Sequence, residues 1–200
     1  PPRSTLFPYT TLFRSTELIR KSAIKVIARY GYHNTKVQMI ADEAGIANGT
    51  VYYYFKSKQE ILEHIYDFEL DKFSRFFDEL EKGKDTVLQK LDTFMKYSFK
   101  ELEDNYDVLK ILIQEGIFTS KQDTKVNKLI DKLQNKLSRL LGKGCESGEL
   151  KAIDVDSFSF IIINLVFYGI YEFMTNENAR DYNNIQTQLT NFVLNGIRMS

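Results

Sequence analysis

A chain of 200 residues, 43% hydrophobic and 27% charged, has the balance of a soluble globular protein with room for one large core or two smaller ones. Its single cysteine, Cys145, excludes an internal disulfide and any cysteine-rich metal site, and fits a cytoplasmic location. Net charge is zero but unevenly spread: residues 16–60 hold seven basic side chains against four acidic, residues 1–15 add Arg3 and Arg14, and the remainder is acidic by five. A basic front and an acidic rear suit a module that meets a polyanion, joined to a body that does not.

All three prolines precede residue 16, so long helices are permitted from there on. Residues 16–31 place Leu18, Ile19, Ala23, Ile24, Ile27 and Ala28 on one helical face, and Gly31 supplies a C-terminal stop. Thr35 to Gln38 has the form of a capping box opening a short helix through Val37, Ile40, Ala41 and Ala44, and Gly45 forces a turn. Ala47 to Phe55 reads as a second short helix with Asn48 as its cap. Ser57 to Glu60 is another capping box and opens a helix to about Leu80. Further amphipathic helices are expected near 84–103, 105–118, 122–147, 154–174 and 183–198, punctuated by Gly83, Gly116 and the Gly142, Gly144, Gly148 cluster. No strand-like alternation persists, so the chain is expected to be all-α. The most apolar run, Phe158 to Met174, falls short of a roughly 20-residue membrane span and contains Asn164 and Glu172. A buried helix or a subunit interface explains it better, and no membrane partner is expected.

The stretch Thr35 to Leu62, TKVQMIADEAGIANGTVYYYFKSKQEIL, carries the functional signal. A short capped helix, a glycine-centred turn and a second short helix make a helix-turn-helix, whose second helix presents its N-terminal residues to base edges in the major groove. Those residues are Ala47, Asn48, Gly49 and Thr50, small enough for close backbone approach, with Asn48 and Thr50 able to donate and accept hydrogen bonds. Tyr52 and Tyr53 follow with hydroxyls that reach phosphates, Lys56 and Lys58 stand at the next helix, and Val51 and Phe55 point inward.

This stretch resembles the DNA-binding domain of TetR-family transcriptional repressors, on A-x-x-A-G-I, on G-T-V-Y-Y-Y-F-K-S-K and on the preceding G-Y-H-N-T, over about residues 18–62. The resemblance implies an all-α fold of about nine helices: a three-helix helix-turn-helix head (16–56, motif about 36–55) and a ligand-binding and dimerisation bundle (57–200). It also implies a homodimer that binds double-stranded DNA at a pseudo-palindromic operator, and a small-molecule effector. By position, it implies DNA contacts from Thr35, Lys36, Gln38, Asn48, Gly49, Thr50, Tyr52, Tyr53, Lys56 and Lys58. For Thr35 and Gln38, helix capping alone is the competing reading.

The bundle is rich in aromatics, and Phe94, Tyr97, Phe118, Tyr168 and Tyr171 are candidates for an effector pocket lined by rings and a few polar groups. An apolar, acyl-type effector would suit them. Residues 154–174 and 183–198 are the expected dimer pair, through Phe158, Ile161, Ile162, Leu165 and Tyr168 on the first and Leu189, Phe192, Val193 and Ile197 on the second. Neither His33 nor His64 has a cysteine or acid at ligand spacing beyond Glu60, four residues before His64, and Cys145 near Glu146 reads as a bystander, so no enzymatic role, cofactor or metal is expected. The alternative is a small-molecule-binding or protein-interaction bundle in which the head is only structural.

Residues 1–15, PPRSTLFPYTTLFRS, read as the in-frame translation of a short sequencing adapter, and composition changes abruptly at Thr16. They are expected to be an assembly artefact outside the fold, with the true start lost.

Overall fold

The computed structural model describes residues 7–112, 125–175 and 182–199. Among them the chain is helical: α1 (Phe7–Tyr30), α2 (Val37–Ala44), α3 (Asn48–Tyr54), α4 (Lys58–Lys82), α5 (Val87–Asp104), α6 (Tyr106–Leu112), α7 (Lys125–Glu146), α8 (Val155–Thr175) and α9 (Tyr182–Ile197). Extended pairing among the described residues is limited to one isolated bridge, Leu150 with Arg198. The chain divides into two compact units, Pro1–Glu69 with Asp107–Lys121, and Leu70–Tyr106 with Gln122–Ser200.

In the first unit α1 packs on α2 and α2 on α3. The apolar face read from the sequence is the buried one: Ile19, Ala23 and Ile27 of α1 join Ile40, Ala41 and Val51 in full burial. α1 starts at Phe7, nine residues before the expected Thr16, with Pro8 in the first turn where its missing N–H costs no helical bond. Within residues 13–18 no side chain is buried, and Ile19 is the first buried one among the described side chains. The first turns of α4 belong to this unit because several side chains tie them to it. Arg20 is almost fully buried, holds Glu17 through two bonds of 2.9 and 3.0 Å, approaches Glu69 at 3.5 Å, and lies over the Phe68 ring at 3.6 Å. A buried guanidinium needs such partners, since an unpaired one would carry its whole desolvation cost. The Arg20 hydrogen bond holds the Glu17 carboxyl below its ordinary range against the opposing effect of burial.

In the second unit α7 packs on α8, and α5 touches α7, α8 and α9. Phe77, Leu91, Met95, Phe99, Leu137, Leu140 and Leu141 fill its core. The Phe76 and Tyr97 rings stack at 3.7 Å, with Phe73 edge-on to Tyr97. Thr86 and Gln89 cap α5 reciprocally, and the Glu149 carboxylate accepts the Val87 and Leu88 N–H groups, both at 2.8 Å. A distant carboxylate thereby satisfies donors that no helix can satisfy itself. Gly142 and Gly144 lie inside α7 and do not end it. At Gly144 a Cβ would fall 2.7 Å from Leu150 and 2.9 Å from Val87, so glycine there serves close packing.

Candidate nucleic-acid interface and ligand cavity

The loop before α2 is fixed from within. Gly31 adopts a left-handed φ of 78°, and the Thr35 hydroxyl donates to its carbonyl at 2.8 Å. The Lys58 ammonium donates to the Thr35 carbonyl at 2.7 Å and to the Tyr32 carbonyl, and sits 4.3 Å over the Tyr32 ring. Lys36, not Thr35, precedes α2 as its cap residue, and Thr35 is buried. The expected Thr35 cap is therefore replaced by a bond back to the preceding turn. The Gln38 amide donates to Asp42 at 2.7 Å.

Gly45 ends α2 at φ 65°, with its N–H on Asp42 and the Ile46 N–H on Ala41, both at 3.1 Å. α3 then starts from Ala47, so Asn48 is its first helical residue and not its cap. Val51 and Phe55 are buried, as their spacing predicts, which turns the rest of this short helix outward. Gly49, Tyr52 and Tyr53 are exposed, Tyr53 to 79%. A Cβ at Gly49 would meet nothing within 4 Å, so the fold does not require glycine there; what glycine provides is an unobstructed backbone. Asn48 and Thr50 are half-buried, and the Asn48 side-chain oxygen lacks a hydrogen-bond partner. Lys36, Gln38 and Lys56 are exposed. The Ser57 hydroxyl accepts the Glu60 N–H at 3.1 Å, and the Glu60 carboxylate accepts the Lys56 N–H at 2.6 Å, which sets the start of α4 as the sequence predicts.

Described residues of the second unit line two spaces. One is an open cleft of about 500 Å³ lined by Ser74, Lys132, Leu133, Asn135, Lys136, Ser138, Arg139 and Asp156. Lys136 is anchored there by Asp78 at 2.6 Å, and that bond lowers the Asp78 carboxyl below its ordinary range. The other is a cavity of about 30 Å³ lined by Phe73, Phe94, Ser98, Leu133, Ile163, Val166 and Phe167. Leu133 lines both.

Residues 19–65 match the family model for bacterial regulatory proteins of the tetR family. Beyond that segment, the fatty acid metabolism regulator protein of Bacillus subtilis is 29% identical over 179 residues, covering 88% of this chain and 92% of that protein. The chain is a TetR-family transcriptional regulator. The regulator's fold agrees: the crystal structure of FadR from B. subtilis in complex with stearoyl-CoA has a TM-score of 0.78 at 28% identity, covering 91% of this chain and 99% of that one. The fatty acid degradation regulator FadR from Bacillus halodurans gives 0.79 at 25% identity, covering 93% and 97%.

The regulator's other sequence-derived sites are only partly brought together. Phe94 lines the apolar cavity, and Tyr97 stands beside it in the ring cluster with Phe73. Tyr168 is 63% exposed and lines neither space. Phe118 and the side chain of Tyr171 lie outside the described residues. Ser98, Leu133 and the basic side chains of α7 were missed, because no spacing in one helix reports what faces it from another. On α8 and α9 the regulator buries Ile162 and Val193 in its own core and half-buries Phe158, Leu165 and Leu189. The outward apolar face is Phe160, Ile161 and Tyr168 with Phe192, Phe192 to 71%. Of the expected stripe on α8, Ile161 and Tyr168 face outward and are joined by Phe160, while Ile162 packs inward, since a helix packed on two neighbours keeps only a narrow face free. Among the described residues no helix is long and apolar enough to cross a membrane.

Proposed function

We propose that the regulator is a cytoplasmic homodimeric repressor that binds a pseudo-palindromic operator and releases it on binding a long-chain acyl thioester. One observation carries the effector: similarity over 91% of the chain to a regulator whose structure holds stearoyl-CoA. The cavities support it chemically. Lys132, Lys136 and Arg139 give the cleft a cationic wall suited to phosphates, with Asp156 the one opposing charge among its lining residues. The apolar cavity across Leu133 suits the acyl chain. At about 30 Å³ it has room for no more than a water-sized object, so an acyl chain would have to displace Phe73, Phe94 or Phe167 to enter. A ligand that binds only the displaced arrangement shifts the population toward it.

The DNA role rests on the exposed tyrosines and small residues of α3, and on Lys36, Gln38 and Lys56. Two such helices must stand about 34–36 Å apart to enter successive major grooves, and the outward apolar face of α8 and α9 provides the self-complementary surface for that dimer. Thr35 would act through the loop it fixes and Lys58 through the carbonyls it holds.

Selection from random double-stranded oligonucleotides tests the reading. Enrichment of one pseudo-palindrome, with affinity that falls steeply with salt and is lost when stearoyl-CoA is added, is the expected result. An enriched operator that no acyl thioester releases would overturn the effector assignment. A folded dimer that enriches nothing would overturn the operator, and would favour the protein-interaction alternative.

A further inference from the structure

The apolar cavity contains one anomaly. Ser98 is 3% exposed, and its hydroxyl has no hydrogen-bond partner. Serine in a helix ordinarily satisfies itself on the carbonyl four residues back. Thr93, earlier in the same helix, does so, donating to Gln89 at 2.9 Å. Ser98 does not, and it lines the cavity with Phe73, Phe94, Leu133, Ile163, Val166 and Phe167. A trapped water is no remedy, because a buried water needs two to four polar partners and the other lining side chains offer none. An unsatisfied hydroxyl in such a place costs stability, and alanine would fit the helix better. A polar group that weakens the ligand-free protein is expected where a ligand satisfies it.

We propose that Ser98 is the specificity-determining contact of the effector cavity: its hydroxyl donates to an oxygen of the bound acyl ligand, and so selects oxygen-bearing acyl groups over plain alkyl chains. This rests on the acyl-thioester reading above. Two ligand oxygens share that chemistry, the thioester carbonyl and a hydroxyl on the chain.

The test compares wild type and Ser98→Ala by titration with stearoyl-CoA, with 3-hydroxystearoyl-CoA, and with the S-octadecyl thioether of CoA, which has no carbonyl. Melting of the ligand-free proteins is measured alongside. Ser98→Ala should weaken stearoyl-CoA roughly tenfold and leave the thioether unchanged, while the ligand-free melting temperature stays level or rises. Weakening confined to the 3-hydroxy ligand would place the chain hydroxyl at Ser98 and still support the proposal. Equal weakening of all three ligands, or of none, would overturn it while leaving the acyl reading intact. A wild-type protein that binds none of them would overturn both.

Discussion

Within α3, Val51 is fully buried and Tyr53, two residues on, is 79% exposed. Within α8, Ile162 is buried and Ile161 beside it is exposed. The two regions put similar patterns to different uses. In the head the outward residues are small or carry hydroxyls, and the loop behind them is locked by Thr35 and Lys58. On the outward face of α8 and α9 stand Phe160, Ile161, Tyr168 and Phe192, mostly hydrocarbon, and the interior holds aromatic rings, a small apolar cavity and an unmet hydroxyl. A polar surface that stays exposed suits a hydrated polyanion, whereas an exposed apolar face needs another apolar surface to cover it. The lesson is that residue type alone did not separate function from packing; the direction in which the backbone aims each residue did.

The largest effect should come from the apolar face. Phe160→Glu combined with Phe192→Glu should yield a folded monomer by sedimentation, with operator affinity reduced roughly a thousandfold as specific binding falls to the non-specific level. A variant that remains a dimer would move the interface elsewhere. Next, Tyr53→Ala should weaken operator binding roughly tenfold with no change in melting temperature, because its side chain is mostly solvated. Thr35→Val should do the reverse, lowering stability by about 1 kcal/mol through loss of the hydroxyl bond to the Gly31 carbonyl, which keeps the Thr35 N–H. If Thr35→Val instead lowers affinity at unchanged stability, the residue touches DNA directly.

Glu149→Gln should cost about 1–3 kcal/mol, since it removes a charged acceptor from the start of α5. Burial opposes ionisation of Glu149, yet the Leu88 and Val87 N–H bonds outweigh it and hold the carboxyl below 4.5. Its stabilisation is therefore present above that value and lost as pH falls through the folded pKa. Denaturant titration of wild type and variant across this range would show the gap closing on acidification.

His64 predicts a smaller change at milder pH. Burial, and then the Arg20 guanidinium, push its imidazole below the ordinary 6.5, against the pull of Asp67 and Glu17. The unfolded chain thus takes up a proton before the folded one, and stability declines as pH drops below about 6.5. The melting temperature of His64→Gln should fall less than that of wild type between about pH 7.5 and 5.5; parallel curves would remove His64 from the acid response. Removal of residues 1–15 should have the least effect, within about 0.5 kcal/mol of stability and with operator affinity intact, since the side chains of residues 13–15 are not buried. A substantial loss would make the start of α1 part of the domain.

The sequence by itself determined the helices and the head. Local signals sufficed there: the 3.6-residue periodicity, the glycines at 31 and 45, the Ser57–Glu60 box and the buried Val51 and Phe55 are all set by residues within one turn of each other. Where the signal was local but the partner was not, the reading failed. Thr35 had the form of a cap, and the Gly31 carbonyl took its hydroxyl. Gly144 read as punctuation, and Leu150 and Val87 explain it as packing. Only the tertiary structure decided which apolar residues of α8 and α9 face outward, that Glu149 caps α5 from far along the chain, and that Ser98 stands unpartnered among rings. Each of these depends on atoms brought together across long sequence separations, and periodicity within one helix carries no record of what packs against it.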